Sequence, residues 1–387
     1  MLHVILMLVR QAAPVNTTTE FALHLYGNMR KVQVGDASDM KRQMENNSII
    51  KALKTKSKSL NLSSRKITHI PESFGRLTWI VVLKLNNNYL SSLPSELVCL
   101  QKLTELNLGN NVLEEIPPVL KHLSCLNKLY LYGNKISHLP PEVLEGLPNL
   151  ELLNLNHNRI KVIPAEIKRL CSLKSISVTD NHLQQIPSEL GLLKSLTEIN
   201  FTNNKLTQIP QQLYSLPQLR KLYLARNNLT ELPEGTLGWK NVKILDVAGN
   251  CLSVFPVGFQ FLTLEELFFE GNSLVPFTLM ESIQEKEVFS LKELSARLIL
   301  QQSTNKLSVV SRALPAYPEL QDMLSHWGQC ALCSQPFLTT WLECVQFINT
   351  RKHMGMKSSQ SVPVRVLLCS YDCFNRDDHQ YYGLVRL

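Results

Sequence analysis

The sequence predicts an α/β solenoid of about ten turns with a parallel sheet on its concave side, then a small cysteine-rich α+β module. Two observations predict the solenoid: eight-residue stretches such as "LNLGNNVL" (106–113), and their return about every 23 residues. A third predicts the module: Cys330 and Cys333 stand 35 intervening residues before the next pair, Cys369 and Cys373.

Composition permits this organisation. The 387 residues suffice for one large domain or two ordinary ones, and 44% are hydrophobic, which argues against wholesale disorder. The net charge is +8, but lysines are scattered among acids, as in "KALKTKSKS" (51–59). That reads as a solvated face, not a nucleic-acid patch. Aromatics interleaved with arginine, which would stack bases, are missing. No run of eighteen apolar residues exists, so no spanning helix is indicated. Neither nucleic acid nor membrane is expected as a partner.

Residues 1–48 read as a poorly ordered N-terminal extension. "MLHVILMLVRQAAP" has an apolar run only from Leu2 to Val9, lacks a basic leading segment and is cut by Arg10, so it does not read as a secretory leader. "MENNSIIKAL" from Met44 reads as a beginning in its own right.

The solenoid is expected over 49–277. Its copies read "LNLSSRKI" (60–67), "LKLNNNYL" (83–90), "LNLGNNVL" (106–113), "LYLYGNKI" (129–136), "LNLNHNRI" (153–160), "ISVTDNHL" (176–183), "INFTNNKL" (199–206), "LYLARNNL" (222–229), "LDVAGNCL" (245–252) and "LFFEGNSL" (267–274). Leu106 and Leu108 alternate with period two, as a strand with one inward face does. Asn88, Asn111, Asn134, Asn158, Asn181, Asn204, Asn227, Asn250 and Asn272 stand where the chain leaves each strand. An amide both donates and accepts, so these side chains predict a buried ladder that satisfies neighbouring backbone groups. Losing a rung would leave buried backbone groups unpaired, at roughly 1–3 kcal/mol. Leu113 and Ile116 return to the core, and Pro117 breaks pairing and opens the back wall. Arg65 replaces the asparagine in the first copy, as suits a terminal repeat. Ten strands about 4.8 Å apart give a sheet on the order of 45–50 Å long.

The pattern L-x-L-x-x-N-x-L, with "IPxxLxxLxxL" filling each turn, resembles the intracellular class of the leucine-rich repeat family. That resemblance implies a fold; function must come from a site. The outward x positions of the strands form the concave face. Lys128, Tyr130, Tyr132, Asn154, Lys221, Tyr223 and Phe268 are the candidate partner-binding residues there, since exposed aromatics dominate binding hot spots. No phosphate-binding glycine loop, nucleophile elbow or kinase signature is present, so no enzyme is expected. His157 and His182 read as solvated turn residues. Cys99, Cys125, Cys171 and Cys251 read as small hydrophobes at apolar repeat positions. No paired-cysteine cap flanks the repeats, which points to a reducing, cytoplasmic compartment.

Residues 278–325 read as a helix and linker. "ESIQEKEVFSLKELSARLILQQ" (281–302) carries an apolar stripe of Val288, Leu291, Leu294, Leu298 and Ile299, with Ser290 as N-cap and Glu293 three residues on. One reading is a cap over the last repeat. Another is that "SLKELSARLI" (290–299) resembles the elongin-binding BC box through Ser290, Leu291, Ser295 and Ile299, of which Leu291, Ser295 and Ile299 share adjoining parts of a helical face. It departs from the strongest form, which has cysteine in the middle. "ALPAYPEL" (313–320) resembles a cullin box, but Pro315 and Pro318 stand one residue too far apart. These resemblances imply elongin and a cullin as partners and a substrate-receptor role in a ubiquitin ligase. The alternatives are a signalling scaffold assembling a kinase or phosphatase complex, and an RNA-binding module in the tail.

Residues 326–387 read as the module: "FLTTWLECVQFI" and "VPVRVLLC" as strands, "SYDCFNRDD" as a helical first turn. Cys330, Cys333, Cys369 and Cys373 suit one tetrahedral structural zinc, the one cofactor expected. A helix start favours thiolate, and so short a segment needs a staple. Cys344 reads as a strand residue, with His353 and His379 as spare ligands. The layout of repeats, an "SLxEL" helix, "WLECV" and "LLCSYDCF" resembles a small group of intracellular repeat proteins.

Overall fold

Each copy of the repeat contributes one three-residue strand: β1 (Ser59–Asn61), β2 (Val82–Lys84), β3 (Glu105–Asn107), β4 (Lys128–Tyr130), β5 (Leu152–Asn154), β6 (Ser175–Ser177), β7 (Glu198–Asn200), β8 (Lys221–Tyr223), β9 (Ile244–Asp246) and β10 (Glu266–Phe268). They form one ten-stranded sheet in sequence order, and the pairs are parallel. The register stacks the central apolar residue of each strand on its neighbours, Leu106 on Leu83 and Leu129. The computed structural model describes residues 55–275, 289–303 and 308–383. The extension at 1–48 and the outer residues of the expected solenoid span lie outside the described residues.

The back wall is made of short 3-10 turns. Pro71, Pro94, Pro117, Pro164, Pro187 and Pro210 each precede one, with φ between −57° and −73°. Proline's fixed φ suits the corner, and its missing N–H removes a donor the corner could not satisfy. One copy is longer: Leu129 and Leu153 stand one position further apart than Leu106 and Leu129. Its turn is a helix, α1 (Pro141–Glu145), closed by Gly146, where a Cβ would lie 1.9 Å from the Lys121 carbonyl oxygen.

A further regularity sits just before the ladder. Ser64, Asn87, Asn110, Gly133, His157, Asp180, Asn203, Arg226, Gly249 and Gly271 all have φ between +52° and +73°. Left-handed backbone is cheap for glycine and tolerable for short polar side chains, which accounts for most residue types in this column.

The four scattered cysteines are not core residues. Cys99, Cys125, Cys171 and Cys251 are exposed. Their neighbours Leu100, Leu126, Leu170 and Leu252 are the residues that turn inward, each at 0% exposure. The core slots are filled, so the adjacent cysteines face out.

Beyond the repeats come α2 (Leu291–Ser303), α3 (Val309–Ala313), α4 (Pro318–Leu324), β11 (Gly328–Gln329), β12 (Pro336–Phe337), β13 (Leu342–Asn349), α5 (Thr350–Met354), β14 (Ser361–Leu368), α6 (Tyr371–Phe374) and β15 (Tyr382–Gly383). β11 and β12 form a hairpin, and β13 lies between β14 and β15 in an antiparallel sheet.

This module, and not the helix at 290–299, packs on the solenoid's end. Phe255 N–H donates to Pro363 O at 2.9 Å, and Arg365 N–H donates to Phe255 O at 2.8 Å. Ile348, Met354, Met356, Val362 and Val364 continue the solenoid core. Arg365 pairs with Glu234 at 3.0 Å, Glu343 at 3.3 Å and Glu231 at 3.6 Å. The expected cap is thereby corrected. In α2 the buried residues are Glu293, Ala296 and Leu300, while Leu291 is 82%, Leu298 59% and Leu294 49% exposed. The apolar stripe faces away because Glu293 and Arg297 find partners on the module, as detailed below. Val288 lies outside the described residues.

Candidate functional site

The ladder ties together the repeats on which any partner face rests. Asn111 shows its rule. Its Nδ2 donates to Leu85 O of the preceding repeat at 3.0 Å and to Leu108 O of its own at 2.9 Å. Its Oδ1 accepts from Leu90 N–H at 2.9 Å. The same reach back to the previous copy recurs at Asn88, Asn134, Asn158, Asn181, Asn204, Asn227, Asn250 and Asn272. Each carbonyl is thereby shared by two successive rungs, as Leu108 O accepts from both Asn111 and Asn134, while the N–H at each rung has the amide oxygen as its partner. In the first copy the backbone N–H of Arg65 donates to Asn88 Oδ1 at 3.0 Å, so that copy borrows its neighbour's amide.

Of the concave candidates, Lys128 and Lys221 are exposed, and Tyr130, Tyr132, Asn154 and Tyr223 are half-buried. Phe268 is 41% exposed. Tyr132 lies over Gly109, where a Cβ would come within 2.3 Å of its ring. Burial first, and Glu105 second, push the Tyr130 hydroxyl upward. Lys221 sits 4.0 Å from Glu198, a solvated pair worth little. The aromatics of β4 and β8 stand four strand steps apart, about 19 Å at ordinary strand spacing. Between them lies a polar floor, in which Asn156 Oδ1 accepts from Ser177 Oγ at 2.7 Å and Thr179 N–H at 2.9 Å. His157 is exposed and meets Asp180 at 2.8 Å, as a turn residue would.

The second site is a cluster of thiols. The sulfurs of Cys330, Cys333, Cys369 and Cys373 all lie within 4.8 Å of one another. Cys333 and Cys369 are 3.5 Å apart, Cys369 and Cys373 3.7 Å. A tetrahedron with 2.3 Å metal–sulfur bonds needs sulfurs about 3.8 Å apart, so the four could hold such an ion. The first pair rides the tight turn between β11 and β12. There Cys330 N–H donates to Gln335 O at 2.9 Å and Ser334 N–H to Cys330 O at 3.0 Å. The second pair lies beyond β14, where Ser370 Oγ accepts from Cys373 N–H at 3.4 Å.

The electrostatics of the cluster are shared. The Cys369 thiol donates to Cys330 and holds it down to about 4, against its burial, with help from backbone N–H groups of Cys333 and Leu332. The same shared proton holds Cys369 far up. Burial pushes Cys373 up to about 11. A dication would neutralise this crowding and take the sulfurs as thiolates. Cys344 is buried on β13, and burial raises it to about 12; it stands outside the four. His379 has both ring nitrogens engaged, with Phe374 O at 2.8 Å and Tyr381 N–H at 3.2 Å. His353 Nδ1 meets Asn349 O at 3.0 Å.

The BC-box-like residues divide. Ser290, Leu291 and Ser295 are exposed, and Ile299 packs partly against the cluster of Ala296, Leu300, Leu324 and Leu338. Ser290 Oγ accepts from Glu293 N–H at 3.1 Å, the expected N-cap. Glu293 does not close a capping box. Its carboxylate accepts from Arg297 Nε at 2.6 Å, Thr339 N–H at 2.6 Å, Thr339 Oγ1 at 2.8 Å and Leu338 N–H at 3.0 Å. Burial opposes its ionisation, yet these donors prevail and hold it below the usual carboxylate range. Arg297 Nη2 donates to Cys369 O at 2.8 Å and Thr340 O at 3.0 Å. Sequence reading missed this pair, because Glu and Arg four apart on a helix usually mark a solvated face.

The Leucine rich repeat family model matches residues 56–113, 116–160, 171–229 and 217–274, together more than half of the chain. Leucine-rich repeat-containing protein 69 of Mus musculus is 38% identical over 134 residues, covering 34% of this chain and 39% of its own length. Its Xenopus laevis counterpart is 42% identical over 132 residues, covering 34% and 38%. The chain thus spans about two fifths of the length of these curated relatives. Among solved structures, an LRR protein of Leptospira interrogans is 32% identical with a TM-score of 0.48, covering 57% of this chain and 62% of that one. A TDR receptor is 28% identical with a TM-score of 0.49, covering 56% and 44%. Because the family matches run over the same copies whose asparagines build the ladder, the chain belongs to the leucine-rich repeat family.

Proposed function

We propose that the protein is a non-catalytic interaction protein that holds another protein on the concave face of its repeats. One observation carries the reading: half-buried aromatic rings at Tyr130, Tyr132 and Tyr223 stand on a rigid parallel sheet, separated by polar residues. Rings already partly fixed lose little freedom on binding, and aromatics supply most hot-spot energy. The test is affinity purification with mass spectrometry, wild type beside Tyr130→Ala with Tyr132→Ala. A partner recovered equally by both chains would refute the role of these rings.

A second reading rests on the exposure of Leu291 and Ser295, which leaves a leucine and a small neighbour free on α2. In that reading the helix docks on elongin, a cullin follows, and the chain acts as substrate receptor of a ubiquitin ligase. Purified elongin should then be retained by the wild type and lost on Leu291→Glu. No capture by a well-folded wild type would leave a signalling scaffold in its place. We further assign one structural zinc to Cys330, Cys333, Cys369 and Cys373. Nine cysteines without a disulfide suit a reducing, cytoplasmic compartment.

A further inference from the structure

Among the described residues beyond the repeats, Glu293 and Arg297 are the least exposed ion pair, at 0% and 17% side-chain exposure. Their partners come from both halves of the thiol cluster. Leu338, Thr339 and Thr340 follow directly on β12, whose hairpin carries Cys330 and Cys333. The other acceptor is the carbonyl of Cys369 itself, which with Cys373 supplies the second half. The socket for the pair therefore exists only while the hairpin and the end of β14 are held together. Apolar contact on α2 is confined to one small cluster, Ala296 and Leu300 with Leu324 and Leu338, edged by the partly buried Ile299, Leu314, Leu320 and Met323. A buried pair that loses its surrounding donors and acceptors is strongly destabilised.

We propose that metal occupancy of the four-thiol centre sets the docking of α2 through the Glu293–Arg297 pair. With the centre closed, the pair is fully bonded and α2 is fixed, Leu291, Leu294 and Leu298 outward. With the metal removed, the hairpin stays on β14 through the Ala331 N–H to Leu367 O bond at 3.0 Å and the cluster of Phe337, Val366 and Leu368. The thiol corner, however, is no longer clamped, and the socket loosens enough for α2 to open more often. Glu293 and Arg297 are positioning residues here: they touch no metal but report its presence to the helix. The proposal rests on the zinc assignment above.

The experiment follows hydrogen exchange of α2 in the full chain by mass spectrometry, with zinc content by elemental analysis. Three states are compared: zinc-loaded, stripped by a chelator, and stripped then reloaded with zinc. Stripping should speed exchange over 291–303 at least tenfold, and reloading should restore it, while β4–β6 stay protected. Arg297→Ala, kept at saturating zinc, should show the fast exchange while still holding one zinc per chain. Zinc bound but α2 indifferent to its removal, or Arg297→Ala with wild-type exchange, overturns the coupling alone. Faster exchange in β4–β6 as well would mean general unfolding and also overturns it. A chain that binds no zinc overturns the assignment and the coupling together.

Discussion

Replacing Asn158 with alanine should lower the stability of the repeats by about 2 kcal/mol. The side chain is 7% exposed and sits mid-array. Its Nδ2 donates to Leu131 O at 3.0 Å and Leu155 O at 2.9 Å, and its Oδ1 accepts from Ile136 N–H at 3.0 Å. Alanine leaves the Ile136 N–H without a partner, whereas Leu131 O keeps Asn134 Nδ2 at 3.0 Å and Leu155 O keeps Asn181 Nδ2 at 3.0 Å. One orphaned buried N–H costs about 1–3 kcal/mol, so the loss is about 2 kcal/mol. For an array of this size that corresponds to a fall in Tm of roughly 4–8 °C. Urea unfolding followed by circular dichroism measures it, with the slope compared because repeat arrays can lose two-state behaviour. Asn272→Ala is the control. Its side chain makes the same bonds, to Val247 O, Phe269 O and Leu252 N–H, but all are only part-buried. Water can replace them, and the loss should be about 1 kcal/mol or less. Equal losses at both positions, or none at Asn158, would refute the ladder argument.

Tyr130→Ala with Tyr132→Ala should leave the urea midpoint near wild type while reducing partner capture at least tenfold; a shifted midpoint with capture intact would reverse the assignment. Cys369→Ser with Cys373→Ser should remove zinc measured by elemental analysis, and retention of one zinc per chain would move the site elsewhere. Leu291→Glu should change stability by less than about 0.5 kcal/mol, as exposed substitutions do, and a large loss would mean that the helix packs by that face after all. Glu293 is held below its ordinary carboxylate value, so its contribution is present above about pH 4.5 and fades as acid protonates it in the folded protein. The stability gap between wild type and Glu293→Gln should therefore shrink as pH falls below that value; a gap that widens in acid would contradict the sign.

The repeats are legible because one period repeats the same physics ten times. A leucine in the wrong register would be contradicted by nine others. The thiol pairs are legible for a similar reason, since few uses other than a metal want two cysteine pairs at such spacing. The docking of α2 is not legible, because burial there follows hydrogen bonds and not hydropathy. An alternating or helical apolar pattern can identify Leu291, Leu294 and Leu298 as one stripe, but not whether anything covers it. Glu293 looks like solvent-facing charge until the N–H groups of Leu338 and Thr339, 45 and 46 positions downstream, come into view. The exposed cysteines fail for the opposite reason: a residue-type average was applied to slots that neighbouring leucines had already filled. Arg226 in the left-handed column has no account in the structure.

The seal on the solenoid's end has a consequence in time. Arg365 reaches Glu234 across 131 positions of sequence. Ribosomes add about 5–20 residues per second, so the last repeats precede their cover by roughly 7–26 s. Repeats close on their neighbours far faster, in the milliseconds or less typical of local contacts. During synthesis the stack would thus stand formed, with Phe255 and Phe259 at an open end, before β14 arrives to close it. That interval is long enough for a chaperone to visit. It would make the yield of soluble protein depend on the speed of translation between these two points, a dependence that no property of the finished fold would reveal.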